Sequence, residues 1–455
     1  MSPQSLNYTD AAILAPMVRI GTLPVRLMAL EYGADLVYTP EVVDKGIVGC
    51  ERVVNEDNGT IDYLSKGVSI FRTHPSEKSK LVFQIGSANA DLALQAALTV
   101  AQDVSTIDLN CGCPKRFSIH GGMGAALMEE PEKLCGILKN LVDNCGLPVT
   151  CKIRIFPDRE RTLKLVKMIE ATGIKALAVH CRYRDERPRE PGHWDRFKEI
   201  VDAVSIPVIA NGDIKEFADM ARIRELSGCT GVMIARGAEA NVSIFRKEGR
   251  LPLMDIVRQY MRRCLETRNH HANTKYCVMQ MFIEDTKSPY YRPLCDAKSF
   301  RAVCKVFEME GELDAWVKKQ EEHGWPTDLD SAPRKAAESK EKDAKAMAAA
   351  NGKANGKAKN TTTADVKMVE VVAESTLGKR KQGDLKDEAA VVVASISASV
   401  EAVEGTPAAK KHAAGDGASS QPTPADTPQP DVEIEVEVTT TTTTTVTTAT
   451  STPLA

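Results

Sequence analysis

Aromatic residues are scarce in this chain, at 5% of 455, and beyond Trp325 there is no Phe, Tyr or Trp at all. Residues 326–455 consist mainly of Ala, Lys, Glu, Thr, Gly and Pro. A segment so poor in apolar bulk cannot offset the entropy of ordering it, so a disordered, low-complexity tail is expected there. No apolar run reaches the length of a bilayer span, and residues 1–10 lack the basic-then-apolar pattern of a secretory signal. These absences argue against membrane insertion and export, and a cytoplasmic protein is expected. Twelve cysteines are present, but their spacing is irregular, and Cys111 with Cys113 is the one close pair. That pattern fits neither a disulfide scaffold nor a structural zinc site, so no metal is expected. There is no G-x-G-x-x-G fingerprint of a dinucleotide-binding unit either.

The charge is nearly balanced, at −3 overall, but unevenly placed. Residues 1–150 carry 12 Lys and Arg against 17 Asp and Glu, whereas residues 151–300 carry 28 against 20. A basic second half suits a protein that meets a polyanion on one side, although an ordinary charged surface explains it equally well. In the tail, Gly378-Lys379-Arg380-Lys381 matches a short nuclear import signal, which would add the nucleus as a second location. The Thr-rich run 439–448 and the acidic, β-branched alternation 431–438 carry no catalytic reading.

Eight short apolar runs recur in the first 236 residues, at 12–15, 35–39, 81–85, 106–110, 149–154, 176–180, 207–211 and 231–236. Several are almost wholly apolar, as strands buried on both faces are. Between them, 23–32, 90–101, 131–144, 161–171, 194–203 and 217–226 repeat apolar residues at helical spacing, and Gly33, Gly146 and Gly173 stand where a helix end needs a left-handed residue. Eight βα units in about 240 residues predict a (β/α)8 TIM barrel over 11–250, with an open doubly wound sheet as the alternative. The stretch 41–80 is too long for a βα loop; its alternation over 61–71, with Asn58-Gly59 as a turn, predicts a small added hairpin. Helical spacing at 253–265, 276–282 and 300–307 predicts a small helical domain over 251–325. Its basic residues Arg258, Arg262, Arg263, Arg268, Lys275 and Lys287 suit phosphate contacts or simply a solvated helix face.

In such a barrel the working groups sit where strands end. Read in order, those ends carry Met17 and Arg19, Glu41, Gln84, Asn110 followed by Cys113, Lys152 and Arg154, His180 and Arg182, Asn211 and Asp213, and Arg236. Polar side chains at nearly every end argue for one site assembled from all of them. Asn211-Gly212-Asp213 and Ala235-Arg236-Gly237 put backbone amides and a guanidinium after the last two strands, where barrels commonly hold a phosphate. Cys113 lies in Asn110-Cys111-Gly112-Cys113-Pro114-Lys115, followed by the glycine-rich run 121–127. A loop of that composition suits a catalytic group carried against a flat ligand.

Six of these segments together, Leu14-Ala15-Pro16-Met17, Asn110-Cys111-Gly112-Cys113-Pro114 with its loop, Cys151-Lys152-Ile153-Arg154, Val179-His180-Cys181-Arg182, Ile209-Ala210-Asn211-Gly212-Asp213 and Ile234-Ala235-Arg236-Gly237, resemble the tRNA-dihydrouridine synthase family from Ile13 to about Phe307. The resemblance is nearest to the eukaryotic branch that modifies position 20 of the tRNA D-loop. It implies FMN as cofactor, NADPH or NADH as reductant, and tRNA as partner, engaged by a monomer through the barrel and the helical domain 251–325. Residue by residue, it implies that Pro16 and Met17 line the flavin and Gln84 hydrogen-bonds its ring. Lys152 would lie at the ring's electron-accepting edge, and His180 beside flavin and substrate. Asn211, Gly212, Ala235 and Arg236 would cradle the FMN phosphate, with Asp213 a further cofactor-binding residue, while Asn110, Arg154 and Arg182 would meet the substrate. Hydride would pass from the nicotinamide to FMN and on to C6 of uracil while Cys113 protonates C5, a role that suits a thiol with an ordinary pKa of about 8.5. Animal members carry a double-stranded-RNA-binding domain after the helical domain; the aromatic-free tail here shows no such pattern, as in fungal members.

Two rivals remain at this level. An FMN-dependent small-molecule oxidoreductase of the dihydroorotate dehydrogenase type shares the barrel, the phosphate site and a loop-borne acid, but has no use for the Arg cluster 182–189. A non-catalytic tRNA-binding protein would not need Cys113, Lys152 and His180.

Overall fold

The structure, a computed structural model, describes residues 6–330 apart from Pro188. The eight runs form strands Ala12–Leu14 (β1), Leu36–Tyr38 (β2), Leu81–Gly86 (β3), Thr106–Cys111 (β4), Val149–Ile155 (β5), Ala176–Tyr183 (β6), Val208–Asn211 (β7) and Gly231–Ile234 (β8). Each pairs in parallel with the next, and β8 returns to β1 through Ala12 opposite Val232. Val37 opposite Leu81 and Tyr38 opposite Val82 join β2 to β3 and complete the ring, so the sheet is a closed eight-stranded barrel and not an open doubly wound one.

Alternation along the strands sorts side chains into two apolar clusters. Ile13, Tyr38, Val82, Ala178, Ile209 and Met233 fill the barrel, while their neighbours in sequence face outward against the helices. Pro131–Asn144 shows how a covering helix is specified. Proline opens it, where no backbone N–H is needed. Leu134, Ile137, Leu138 and Leu141, at three- and four-residue spacing, are buried against the sheet. The chain leaves it through Cys145 and Gly146, the latter at φ +73°. Truncating such a leucine to alanine costs about 2–5 kcal/mol.

The insertion between β2 and β3 is a three-stranded antiparallel sheet, Glu51–Val54, Ile61–Ser65 and Val68–Thr73, where the sequence suggested one hairpin. Asn58-Gly59 lies in the connection between the first two strands, and the second hairpin turns at Lys66-Gly67, both at positive φ. Glu51–Val54 escaped notice because none of its residues is buried, so it lacks the alternation of a half-buried strand. Arg72 ties this sheet to the helical domain, donating to the carbonyls of Thr267 (2.7 Å) and Arg268 (2.9 Å).

That domain contains Leu253–Glu266, His271–Met281, Tyr291–Asp296, Phe300–Val306 and Glu310–Glu322 around Tyr260, Met261, Phe300 and Phe307. The third and fifth helices are additions to the sequence reading, since they bury only Leu294 and only Leu313 with Gln320. Asn273 Nδ2 donates to the Arg19 carbonyl at 2.7 Å, which brings the domain to the exit of β1. Packing continues beyond Trp325. Leu329 is buried, its carbonyl accepts from His271 N (2.9 Å), and the Asp330 carboxylate accepts from Phe300 N (2.6 Å). The rest of the expected tail, with the basic motif 378–381 and the runs 431–438 and 439–448, lies outside the described residues.

Candidate active site

Alternation along β4 turns Thr106, Asp108 and Asn110 to the same face, into the barrel. The Asp108 carboxylate, fully buried, accepts from Gln84 Nε2 (2.8 Å) and Thr150 Oγ1 (2.7 Å). Gln84 Oε1 accepts from Asn110 Nδ2 (3.0 Å), and Asn110 Oδ1 accepts from the backbone N–H groups of Gly112 (3.1 Å) and Cys113 (3.0 Å). An anion can only accept, so Asp108 sets the direction of both amides and, through them, the turn that carries Cys113. Burial pushes the Asp108 carboxyl up to about 6, against the hydrogen bonds from Gln84 and Thr150 and the nearby Lys152 charge.

The loop beyond β4 folds back on Cys113, with Ala125 N donating to the Cys113 carbonyl at 3.0 Å. Gly124 makes this possible. It has φ +58°, and a Cβ there would lie 2.3 Å from Ser118 Oγ and 2.6 Å from the Cys113 carbonyl oxygen. Cys113 is half-buried, and its thiol is pushed up first by burial and then by the charge of Glu41. The Glu41 carboxyl is itself raised to about 7 by burial, opposed by the Cys113 thiol and Lys115. The thiol therefore carries its proton at neutral pH, as an acid must.

On the adjacent strand, Lys152 stands beside Asn110 in the β4–β5 register. Burial and then Arg154 lower its ammonium to about 8, with Asp108, Cys181 and Cys113 opposing the shift. His180 is driven far below the usual histidine range by burial and by Lys152, Arg154, Arg182 and Arg236 around it. It is thus a neutral imidazole. Its Nε2 lies 3.1 Å from Arg182 Nη1, which can only donate, so the ring proton is assigned to Nδ1.

The β7–β8 side is built from charges. Asp213 Oδ1 accepts from Arg182 Nη2 (2.5 Å) and Arg236 Nη2 (2.6 Å), and Oδ2 accepts from Gly192 N (2.6 Å). These bonds hold the Asp213 carboxyl below its usual range although burial pulls the other way. Gly212, at φ +128°, has no room for a side chain, since a Cβ would lie 2.5 Å from Cys181 Sγ. Asn211 Nδ2 donates to the Met233 carbonyl (2.8 Å), which stitches the ends of β7 and β8 together. Beside them opens a cleft of about 460 Å³ lined by Arg182, Trp194, Asp213, Lys215, Arg222 and Arg236. Arg236 is 45% exposed and Ala235 borders it. Pro16 and Met17 are half-buried at the end of β1.

The residues expected from sequence thus gather at one barrel end, but two arginines point inward. Arg182 is 2% exposed and is bonded to Asp213, His180 and the Glu190 carbonyl (2.8 Å). Arg154 donates to the carbonyls of Gly112 (3.0 Å) and Tyr183 (2.8 Å), which braces the Cys113 loop from β5. In the helical domain, Arg262 pairs with Glu312, Arg263 with Glu31 and Glu266, Arg268 with Asp57, and Lys275 donates to two carbonyls, so these four are engaged within the protein. Asp108 is not among the residues the strand ends single out, although a charged residue two positions before Asn110 in a strand is its signal. From sequence Glu41 is a strand-end residue and nothing more.

The dihydrouridine synthase family model matches residues 13–290. The chain is 43% identical over 317 residues to the tRNA-dihydrouridine(20) synthase of Schizosaccharomyces pombe, which covers 67% of this chain and 66% of that protein. It is 41% identical over 327 residues to the enzyme of the same name from Saccharomyces cerevisiae, covering 67% and 84%. A human relative named for positions 20a and 20b is 36% identical over 244 residues, covering 53% and 72%. With most of the barrel and part of the helical domain inside the matched span, the chain belongs to the dihydrouridine synthase family.

Proposed function

We propose that this protein reduces a uridine of the tRNA D-loop, at position 20, to 5,6-dihydrouridine, with Cys113 as the acid. The observation that carries the reading is the placement of Cys113, whose backbone N–H is held by Asn110 on a turn at the barrel mouth, in a chain whose relatives are named for this reaction. The residues suit FMN: Arg236 and Lys215 offer cationic partners for its phosphate in a cleft beside Gly212, and the half-buried Lys152 offers a cation to its ring. When bound, the reduced flavin supplies the hydride that reaches C6 of uracil, and NADPH or NADH is the reductant suited to replenish it.

The chain's own groups do the rest. Lys152 stabilises negative charge at the mouth, and its depressed pKa keeps most of it cationic only below pH 8. Neutral His180, with its proton on Nδ1, offers a donor to a carbonyl oxygen without adding charge. Cys113 gives its proton to C5 as C6 is reduced. A D-loop base is unstacked at lower cost than a paired one, which makes it accessible to a recessed acid.

The test maps dihydrouridine at each D-loop position of unmodified tRNA after incubation with protein, FMN and NADPH, for wild type and Cys113→Ala. Wild type should reduce position 20, and the variant should stay yellow while losing on the order of 10²–10⁴ in rate. A yellow wild type that reduces no tRNA overturns the proposal in favour of a small-molecule oxidoreductase.

A further inference from the structure

We propose that Glu41 is a positioning residue for the acid, holding the Cys113 thiol and returning a proton to it after each turnover; this rests on the reading of Cys113 as proton donor. Val42–Val43 pairs in parallel with Ile85 and Gly86 at the end of β3, and this extra rung pins Glu41 at the mouth. A Cβ on Gly86 would lie 2.6 Å from Glu41 Oε1, so glycine at 86 leaves the space that the carboxyl fills.

Both Glu41 oxygens are buried, and neither makes a well-formed hydrogen bond among the described residues. Structural carboxyls in this protein look different: Glu77, wholly buried, is bonded to Arg26 and Thr73, and Asp62 to Arg72, Asn55 and Ser69. A buried carboxyl without such partners carries a cost that a working role explains and a structural role does not. What it does meet is the Cys113 thiol, and each group perturbs the other. The further groups that act on the pair are Lys115 and Ser118 from the loop and Lys152 and Arg154 from β5.

The chemistry gives that contact a use. When Cys113 acts, its S–H bond breaks, the proton forms the C5–H bond of the product, and the electron pair stays on sulfur as thiolate. The O–H bond of protonated Glu41 then breaks, the S–H bond re-forms, and the negative charge moves to the Glu41 carboxylate near Lys115, which regains a proton from solvent. A carboxyl raised to about 7 holds that proton in a substantial fraction of molecules at neutral pH, which an exposed glutamate would not.

The experiment compares full-length, flavin-loaded wild type, Glu41→Gln and Glu41→Asp. Cys113 alkylation by iodoacetamide is followed across pH by mass spectrometry of its peptide, beside dihydrouridine formation over many turnovers. Removing the carboxylate lowers the thiol pKa, so Glu41→Gln should be alkylated on the order of tenfold faster at pH 8, one unit being about tenfold in thiolate. Its turnover should fall about tenfold or more at pH 7 and recover in part at lower pH, where solvent supplies the acid. Glu41→Asp, which keeps the acid one methylene further back, should lie between and serves if the glutamine variant does not fold. An alkylation profile that superimposes on wild type, or an unchanged turnover, overturns the proposal. If wild type itself makes no dihydrouridine, the functional reading fails, and the alkylation profiles alone decide whether Glu41 acts on Cys113.

Discussion

On the β3–β5 side of the mouth, buried polar groups are aligned by one chain of hydrogen bonds, from Asp108 through Gln84 and Asn110 to the backbone of Cys113. On the β6–β8 side, Arg182, Asp213 and Arg236 form a charge cluster at the edge of a cleft. Direction matters on the first side, because an acid must present its proton along one line. Net field matters on the second, because an anionic phosphate is held by charge from several angles. Asp108 on the first side is inaccessible, whereas on the second the cluster runs from buried Arg182 to Arg236, which is 45% exposed.

Substitutions that remove charge from each side in turn put this contrast to the test. The largest effect is expected from Lys152→Met, which should slow dihydrouridine formation by about 10²–10³ by removing the cation nearest the chemistry. Since its ammonium is lowered to about 8, the wild-type rate should decline above pH 8, and a flat profile to pH 10 would show that Lys152 does not act as a charge. Next comes Asp213→Ala. It strands the buried Arg182 guanidinium and should cost about 3 kcal/mol in urea denaturation; a near-neutral result would mean that water enters to solvate Arg182.

The carboxyls of the first side make a pH prediction with a definite sign. Asp108 is raised to about 6 when folded, so it contributes stability that is complete below its ordinary pKa near 4 and is lost as pH rises through 6. Asp108→Asn lacks that ionisation. Melting curves should show wild type losing on the order of 1–3 kcal/mol relative to the variant between pH 4.5 and 7.5, and a constant difference would place Asp108 in a wetter setting. The smallest effect is expected at Arg236, already half in water. Arg236→Ala should weaken FMN binding about tenfold while leaving riboflavin binding unchanged, as read by flavin fluorescence. Equal losses for both ligands would move the phosphate away from Arg236.

Much of this was legible in the residues themselves. All eight barrel strands lie where apolar runs predicted them, within a few residues, because strands covered on both faces need continuous apolar sequence. The polar residues that close them do meet at one end, as parallel βα order requires. Exposed or small elements were harder to see. Glu51–Val54 buries nothing, and Tyr291–Asp296 buries only Leu294, so neither leaves a periodic trace. The resemblance implies that Arg154 and Arg182 meet substrate, and only the folded barrel shows that carbonyls and Asp213 also bond them from within.

What the sequence determined alone was local: the period that makes each strand or helix, the order of the eight units, and the polar residue at each strand end. The tertiary structure decided which of those residues touch. Glu41 meets Cys113 because β2 joins β3 in closing the ring and the following rung sets the carboxyl over Gly86. Arg182 meets Asp213 because adjacent strands carry their ends to the same height. The physical reason is range. Periodicity is written within a turn of helix or a pair of strand residues, whereas proton-sharing and ion pairing depend on approaches of a few ångströms between distant segments, which exist only once the barrel has closed.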